Sequence, residues 1–99
     1  MAVVMRMEWP EVTQEQYDAT LEAVGWEQTP PEGAIFHVAF FDEDGFKVID
    51  VWESEEQFHT FLEERLGPGI QQVGIEGEPK VTFAPAHRVF EPALMTTGS

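Results

Sequence analysis

Residues 34–53 read AIFHVAFFDEDGFKVIDVWE, and this stretch decides the fold. Two runs rich in aromatic and β-branched residues, 34–41 and 46–53, flank the acidic segment Asp42-Glu43-Asp44-Gly45. Such runs favour strands, and a break that contains Asp and Gly between them is typical of a tight hairpin turn. The stretch therefore predicts two antiparallel strands joined by a short turn.

A helix-start pattern stands on each side of this hairpin. The capping-box spacing of Thr or Ser with Gln three residues later begins at Thr13 before the hairpin and at Ser54 after it. Gly25 can close the first helix in a left-handed conformation, and we expect the second helix to end at Gly67-Pro68. Apolar residues recur at helical spacing in both segments, namely Tyr17, Leu21 and Val24 in the first and Phe58, Phe61, Leu62 and Leu66 in the second.

Two further strands are predicted, one at each end of the sequence. Residues 2–8 (AVVMRME) form one, and residues 80–90 (KVTFAPAHRVF) form the other, where Pro85 is tolerated only at an edge or a bulge. The order is strand, helix, strand, strand, helix, strand, which is the ferredoxin-like βαββαβ arrangement of the α+β class, with both helices on one face of an antiparallel sheet. We assign residues 1–92 to a single domain and expect 93–99 to be a flexible tail.

Composition excludes several classes of partner. The 19 acidic residues exceed the 5 basic ones and give a net charge of -14, which repels phosphate backbones and anionic lipid. The chain has no cysteine, so disulfides and thiolate chemistry are excluded. No apolar run is long enough to cross a bilayer and no export signal is visible, so we expect a cytoplasmic protein that binds neither nucleic acid nor membrane.

The register of the hairpin predicts which side chains share a face. Placing Phe41 opposite Phe46 gives one face with Phe36 and Val51, Val38 and Ile49, and Phe40 and Lys47, and the other with Ile35 and Trp52, His37 and Asp50, and Ala39 and Val48. We assign the first face to the helices. The second is too apolar to be left in water, so we expect a second copy to cover it in a homodimer that forms a closed α+β barrel.

Residues 51–58 (VWESEEQF), followed by Phe61 and Leu62, resemble the strand-to-helix motif of the antibiotic-biosynthesis-monooxygenase-like members of the dimeric α+β-barrel superfamily. The similarity extends over roughly the central half of the chain. The resemblance implies the ferredoxin-like dimer, and its families include cofactor-independent quinol and anthrone oxygenases, haem-degrading enzymes, polyketide cyclases, lactone isomerases and members without known activity. Several of the oxygenases and haem-degrading relatives use an asparagine in the pocket, whereas this chain contains none, so the motif is a guide to fold more than to chemistry.

His37 and Asp50 are the strongest catalytic candidates, because a carboxylate beside an imidazole fixes its tautomer and raises its basicity. Arg6, from the neighbouring strand, can neutralise Asp50 or hold an enolate or phenolate oxygen. His87, beyond Pro85, suits a second proton-transfer group near a barrel mouth. The alternative is that this cluster only satisfies polar groups at a dimer interface, or, for His87, that it lies on an edge strand.

Aromatic and aliphatic residues of the same face are candidates to line a cavity for a flat aromatic or polyketide-like ligand: Trp52, Ile35, Phe41 and Val48, with Met5 or Met7. The alternative is that they fill the barrel themselves. No phosphate-binding glycine loop, dinucleotide fingerprint or serine nucleophile elbow occurs, so no cofactor is expected.

A metal site is the weakest of the candidate sites. His59 lies between Glu55 and Glu63 at helical spacing of four, but the buried side of the same helix is defined by Phe58 and Phe61, so the stripe is interpreted as solvated surface. The leading function is a pocket-bearing homodimer that acts on an apolar or aromatic metabolite by proton transfer, as a monooxygenase, cyclase or isomerase. The chief alternative is a non-catalytic ligand-binding, structural or stress-related homodimer, and metal or haem binding is a third possibility.

Overall fold

A computed structural model describes residues 2–90. The strands are β1 (Val3–Trp9), β2 (Ala34–Asp42), β3 (Gly45–Trp52) and β4 (Lys80–Pro85), and the first helix is α1 (Gln14–Val24). The second helical arm, residues 55–73, consists of α2 (Glu55–Phe61), a π-helical turn (Leu62–Leu66) and α3 (Gly67–Val73). The sheet is antiparallel in the order β2-β3-β1-β4, which confirms the predicted ferredoxin-like arrangement.

The start and end of α1 follow from its capping residues, as predicted. The Thr13 hydroxyl accepts a hydrogen bond from the Gln16 amide at 3.1 Å, and the Gln16 side chain accepts one from the Thr13 amide at 3.0 Å. Gly25 then adopts a φ of 72°, in the left-handed region that a side chain disfavours, and donates back to the last turn. This end fixes where the loop after α1 leaves the helix.

The second helical arm runs farther than the sequence predicts, because Gly67-Pro68 does not end it. The Gly67 amide donates to the Leu62 carbonyl five residues earlier, so a π-helical turn precedes the proline. Pro68 then lies in the first turn of α3, where its missing amide hydrogen is not required. The last strand is shorter than expected, since β4 ends at Pro85 rather than at residue 90. Residues 91–92 and the tail at 93–99 lie outside the described residues.

The hairpin register is confirmed, with Phe41 opposite Phe46 and His37 opposite Asp50. One pair differs: Ala34 rather than Ile35 stands opposite Trp52, because the register shifts between Ala34 and Phe36. His37 and Asp50 therefore share a face as predicted, although Ile35 leaves the position expected for it.

The assignment of the two faces was wrong. The helices cover the face that carries His37, Asp50 and Trp52, whereas the face with Phe36 and Val38 is open. Both faces of the hairpin are apolar, so alternation within it cannot decide between them. The cross-strand pairs do decide, since Arg6 lies beside Ile49 and Glu8 beside Lys47, which puts the charged side chains on the open side. The core lies between sheet and helices and comprises Met5, Met7, Trp9, Val12, Phe46, Val48, Trp52, Phe58 and Phe61.

The open sheet face is apolar at its β2 edge. Phe36 is 51% exposed, and Val38 and Phe40 are also exposed there. A cluster of exposed large side chains on a sheet is typical of a surface that another protein covers. Within residues 2–90, no helix has the length and hydropathy that a bilayer crossing requires.

Candidate functional site

A pocket of about 80 Å³ lies between the sheet and the helices. Met5, Met7 and Val48 line it from the sheet, and Phe58 and Phe61 line it from α2. Most of its remaining wall is also apolar. The polar side chains that line it are those of Tyr17, Thr20, His37 and Asp50, so any polar chemistry in the pocket depends on this small group.

His37 and Asp50 form a direct hydrogen bond in this pocket. His37 on β2 and Asp50 on β3 stand opposite each other in the register, and His37 Nδ1 lies 2.6 Å from Asp50 Oδ1. The second carboxylate oxygen, Oδ2, accepts a hydrogen bond from Trp52 Nε1 at 3.1 Å. Asp50 is only 3% exposed, so two donors replace the water that a carboxylate otherwise requires. This arrangement fixes the orientation of the imidazole ring.

Tyr17 completes the cluster, and sequence analysis placed it only in the buried stripe of α1. Its hydroxyl oxygen lies 2.8 Å from His37 Nε2. Burial raises the pKa of the Tyr17 phenol, and the negative charges of Asp50, Asp18 and Glu27 raise it further. The phenol therefore keeps its proton at neutral pH and donates a hydrogen bond to Nε2, so that the Nδ1 hydrogen donates to Asp50. A buried tyrosine hydroxyl usually has a partner, and this is the signal that could have linked Tyr17 to His37.

Two predicted catalytic residues lie elsewhere. Arg6 is exposed on the open side of β1, with its Cα opposite that of Ile49, so it neither neutralises Asp50 nor reaches the pocket. The expectation failed because it rested on the wrong face assignment. His87 is exposed after the end of β4 and does not line the pocket.

The four predicted ligand-lining residues are divided by the structure. Val48 lines the pocket, whereas Trp52 is 0% exposed and donates a hydrogen bond to Asp50 Oδ2. Ile35 lines a separate surface groove, and Phe41 packs on the Phe46 ring with 5.1 Å between the ring centres. The prediction thus identified one residue of the pocket wall and one residue that positions the polar pair.

His59 forms an exposed pair with Glu55, with 3.2 Å between His59 Nε2 and Glu55 Oε2. It faces water, as the helical periodicity predicted. Across residues 2–90, no three His, Asp or Glu side chains are arranged to hold a metal ion. The Glu55–His59 pair repeats the carboxylate–imidazole contact of Asp50 and His37 in an exposed setting, so substitutions in it are controls for substitutions in the pocket.

Trp26 separates the pocket from a surface groove of about 390 Å³. Both Trp26 and His37 line the two spaces, and their ring centres are 4.8 Å apart. The indole also packs edge-on against Phe61 at 5.3 Å. A molecule that is too long for the pocket would therefore have to displace Trp26 to extend into the groove.

Arg65 ties the loop that carries Trp26 to the second helical arm. Its Nη2 donates to the carbonyl oxygens of Val24 at 2.9 Å, Gly25 at 3.3 Å and Thr29 at 2.7 Å. The π-helical turn that contains Arg65 places it beside these carbonyls, which lie at and after the end of α1. The position of Trp26 over the pocket thus depends on a residue that is distant in sequence.

Arg65→Lys is expected to lower the free energy of unfolding by about 1.5–3 kcal/mol, since a hydrogen bond that involves a charged group contributes about that much. A single ammonium group on a flexible stem cannot reproduce the planar guanidinium. Urea unfolding followed by tryptophan fluorescence measures the loss. Arg88→Lys, at an exposed position, is the matched control and should stay within about 0.5 kcal/mol of the parent. Equal unfolding midpoints for both variants would contradict the role given to Arg65.

No protein-family model matches the chain, and no curated protein is similar to it in sequence. Solved structures do match. A variant of SnoaB, a cofactor-independent oxygenase from Streptomyces nogalater, has a TM-score of 0.60 at 14% identity, covering 89% of this chain and 93% of that one. A dimeric ferredoxin-like protein of unknown function from Thermobifida fusca has a TM-score of 0.61 at 12% identity, covering 87% of this chain and 92% of that one.

A protein of unknown function from Nitrosomonas europaea is similar to the same extent, with a TM-score of 0.62 at 15% identity and 92% of each chain covered. The chain therefore has a ferredoxin-like fold, and it shares this fold with SnoaB and with a protein described as a putative antibiotic biosynthesis monooxygenase from Deinococcus radiodurans. At these identities the likeness establishes the fold, while the activity has to be argued from the pocket.

Proposed function

We propose that this protein binds a small apolar or aromatic molecule in the pocket between sheet and helices and acts on it by proton transfer without a cofactor. The reaction class is that of a monooxygenase, cyclase or isomerase of an aromatic or polyketide-like metabolite. The observation that carries the proposal is the His37–Asp50 pair, in which Asp50 is buried and His37 is half-buried, on an otherwise apolar pocket wall. SnoaB, which shares the fold, is a cofactor-independent oxygenase, and this supports the proposal by analogy.

The geometry suits general-base chemistry. Asp50 holds the Nδ1 hydrogen of His37 and would stabilise the imidazolium that forms when the ring takes up a proton at Nε2. Since the surrounding wall is apolar, the attraction between the carboxylate and the imidazolium is screened less than it would be in water. His37 is thus proposed as the base and Asp50 as the residue that orients it.

The size of the pocket limits the substrate. A pocket of about 80 Å³ is about half the size of the roughly 150 Å³ cavity that holds a benzene molecule. A substrate with an aromatic ring would therefore have to displace Trp26 and extend into the neighbouring groove.

The alternative is a non-catalytic ligand-binding, structural or stress-related homodimer. One observation favours it: within residues 2–90, every buried side-chain nitrogen and oxygen atom has a hydrogen-bond partner, including those of the His37 cluster. A fully satisfied buried cluster can serve only to specify the packing of a core. The two functions differ in whether an acidic molecule enters the pocket and loses a proton there.

Native mass spectrometry of the protein as purified, followed by denaturation, tests whether the pocket holds a ligand. We expect an added mass that is released on unfolding as a one- or two-ring aromatic compound. Loss of this mass in a pocket-filling variant, Val48→Phe, would place the ligand in the pocket, with the exposed-site variant Thr60→Phe as the control. A bare protein that also fails to bind added phenols would favour the non-catalytic alternative.

We further propose that the protein is a cytoplasmic homodimer in which the open sheet faces of two copies cover each other. The exposed Phe36, Val38 and Phe40 support this interface, and a matching solved structure is described as a dimeric ferredoxin-like protein. A two-fold pairing brings the same patch of both copies together and buries it from water.

Val38→Asp is expected to convert the dimer to a monomer. An unpaired buried carboxylate costs about 3–5 kcal/mol, and each 1.4 kcal/mol is tenfold in affinity, so the dissociation constant should rise by about 100-fold or more. Sedimentation equilibrium measures it. Thr60→Asp, which adds the same charge at an exposed position of α2, should leave the parent mass unchanged. A monomeric parent, or a Val38→Asp variant that still dimerises, would refute the interface.

A further inference from the structure

We infer that Tyr17 is the residue that meets the substrate and that it passes a proton to His37, so that phenol, imidazole and carboxylate form one relay. This rests on the proposed function and changes which atom performs its first step. The acidic hydrogen of the substrate would be taken up by the Tyr17 oxygen rather than directly by the imidazole.

The geometry that carries this inference is that both ring nitrogens of His37 are engaged. Nδ1 lies 2.6 Å from Asp50 Oδ1 and Nε2 lies 2.8 Å from the Tyr17 hydroxyl. The ring therefore presents no free nitrogen to the pocket. The Tyr17 oxygen has one hydrogen bond, to Nε2, and as a hydroxyl it keeps lone pairs with which to accept another. Tyr17 and His37 both line the pocket, so a molecule bound there would lie against this cluster.

The direction of the relay follows from the charges around it. Burial raises the pKa of the Tyr17 phenol, and the negative charges of Asp50, Asp18 and Glu27 raise it further. The phenol is therefore a donor to Nε2 in the resting state, and it is too weak an acid to give up its proton unless another proton replaces it. His37 can accept that proton because Asp50 compensates the positive charge that results.

The proposed step transfers two protons in sequence. The X–H bond of the substrate breaks and a new O–H bond forms on Tyr17, while the original Tyr17 O–H bond breaks and an N–H bond forms at His37 Nε2. The products are a substrate anion and an imidazolium paired with Asp50. The new Tyr17 O–H group donates to the anion, in the manner of an oxyanion donor. The return of the proton along the same path restores the resting state.

This relay selects a class of substrate. The acidic group must lie at the edge of a flat apolar molecule so that it reaches Tyr17 while the rest occupies the pocket. Phenols and enols of one-ring aromatic or 1,3-dicarbonyl compounds meet this requirement, because their anions are delocalised and one hydrogen bond to oxygen stabilises them. Compounds without an acidic hydrogen would bind without reacting.

The test uses 4-nitrophenol, whose anion is yellow and whose neutral form is colourless. At a pH below the ionisation range of the free probe, we expect the parent protein to turn bound probe yellow. Tyr17→Phe keeps the ring that packs on His37 and Phe46 and should bind the probe without colour. His59→Gln, which removes the exposed carboxylate-paired histidine, should behave as the parent does. Calorimetry measures binding independently of colour.

Three outcomes would overturn the relay. If Tyr17→Phe turns the probe yellow as well as the parent does, His37 acts directly, and the proposed function stands without the relay. If the parent binds the probe without ionising it, the relay is absent and the non-catalytic alternative is favoured. If the parent does not bind the probe at all, the proposed function fails together with the relay. Circular dichroism of Tyr17→Phe confirms that its fold is that of the parent.

Discussion

Asp50→Asn is expected to abolish the ionisation of an acidic molecule in the pocket and to slow proton transfer there by about 10²–10⁴-fold. The carboxylate accepts from two donors, His37 Nδ1 and Trp52 Nε1. An asparagine offers a single acceptor oxygen to these two groups. Because the indole nitrogen of Trp52 can only donate, the amide oxygen would turn to Trp52 and the amide NH₂ group to His37.

The loss follows from the tautomer that this orientation imposes on His37. Facing an NH₂ group, Nδ1 has to become the acceptor, so the ring hydrogen moves to Nε2. A protonated Nε2 can accept neither from Tyr17 nor from a substrate. The change removes the base while it leaves the volume of the side chain and the shape of the pocket almost unaltered.

Absorbance of bound 4-nitrophenol, with calorimetry as the measure of binding, distinguishes loss of the base from loss of the pocket. Glu55→Gln is the matched control, because it makes the same carboxylate-to-amide change in the exposed pair with His59. It should leave both signals at the parent level. An Asp50→Asn variant that binds and ionises the probe like the parent would show that Asp50 does not orient the base.

The fold was predictable because local signals agree along the chain. The turn at residues 42–45 fixes the hairpin, and Thr13 with Gly25 fixes both ends of α1, so the order of elements follows. The pairing of His37 with Asp50 was predictable for the same reason, since a register depends on the turn and is independent of which face the helices cover.

The facing of the site was not predictable from the hairpin. The two faces of the hairpin are equally apolar, with Val38 and Ile49 on one and Ala39 and Val48 on the other. The alternation therefore does not indicate which face the helices cover. The pairing of β1 with β3 identifies the open face, because Arg6 lies opposite Ile49. This pairing is known only once the strand order and the register are known. Contacts between distant segments decide such a case, and a local pattern contains no information about them.

The loop after α1 shows the same limit. Nothing local at Trp26 indicates that it lies against His37, and nothing at Arg65 indicates that it binds the carbonyl oxygens of Val24 and Thr29. A π-helical turn aims Arg65 at this loop, and such turns have no clear sequence signature beyond the Gly67-Pro68 that we interpreted as a helix end. Tyr17 was missed because a tyrosine in an apolar helical stripe is interpreted as a packing residue, and its hydroxyl group is then overlooked.

Trp52→Ala is expected to lower the free energy of unfolding by about 3–5 kcal/mol, the range for removing a large buried aromatic side chain. Trp52 is 0% exposed, and its ring packs against Phe58 at 5.5 Å and Phe61 at 5.6 Å between ring centres. A folded domain has roughly 5–15 kcal/mol of stability, so at the middle of that range the variant would lose about a third to a half of it. Urea unfolding followed by circular dichroism measures the change without depending on tryptophan emission.

Trp52→Phe separates packing from hydrogen bonding in that loss. Phenylalanine keeps most of the ring contacts but removes the N–H group that Asp50 Oδ2 accepts, so we expect a loss of about 1.5–3 kcal/mol, the contribution of a hydrogen bond to a charged group. Because His37 still holds Oδ1, this variant should remain folded and still ionise 4-nitrophenol, though less completely than the parent. A Phe variant as unstable as the Ala variant would mean that the hydrogen bond to Asp50, rather than packing around the ring, makes Trp52 indispensable.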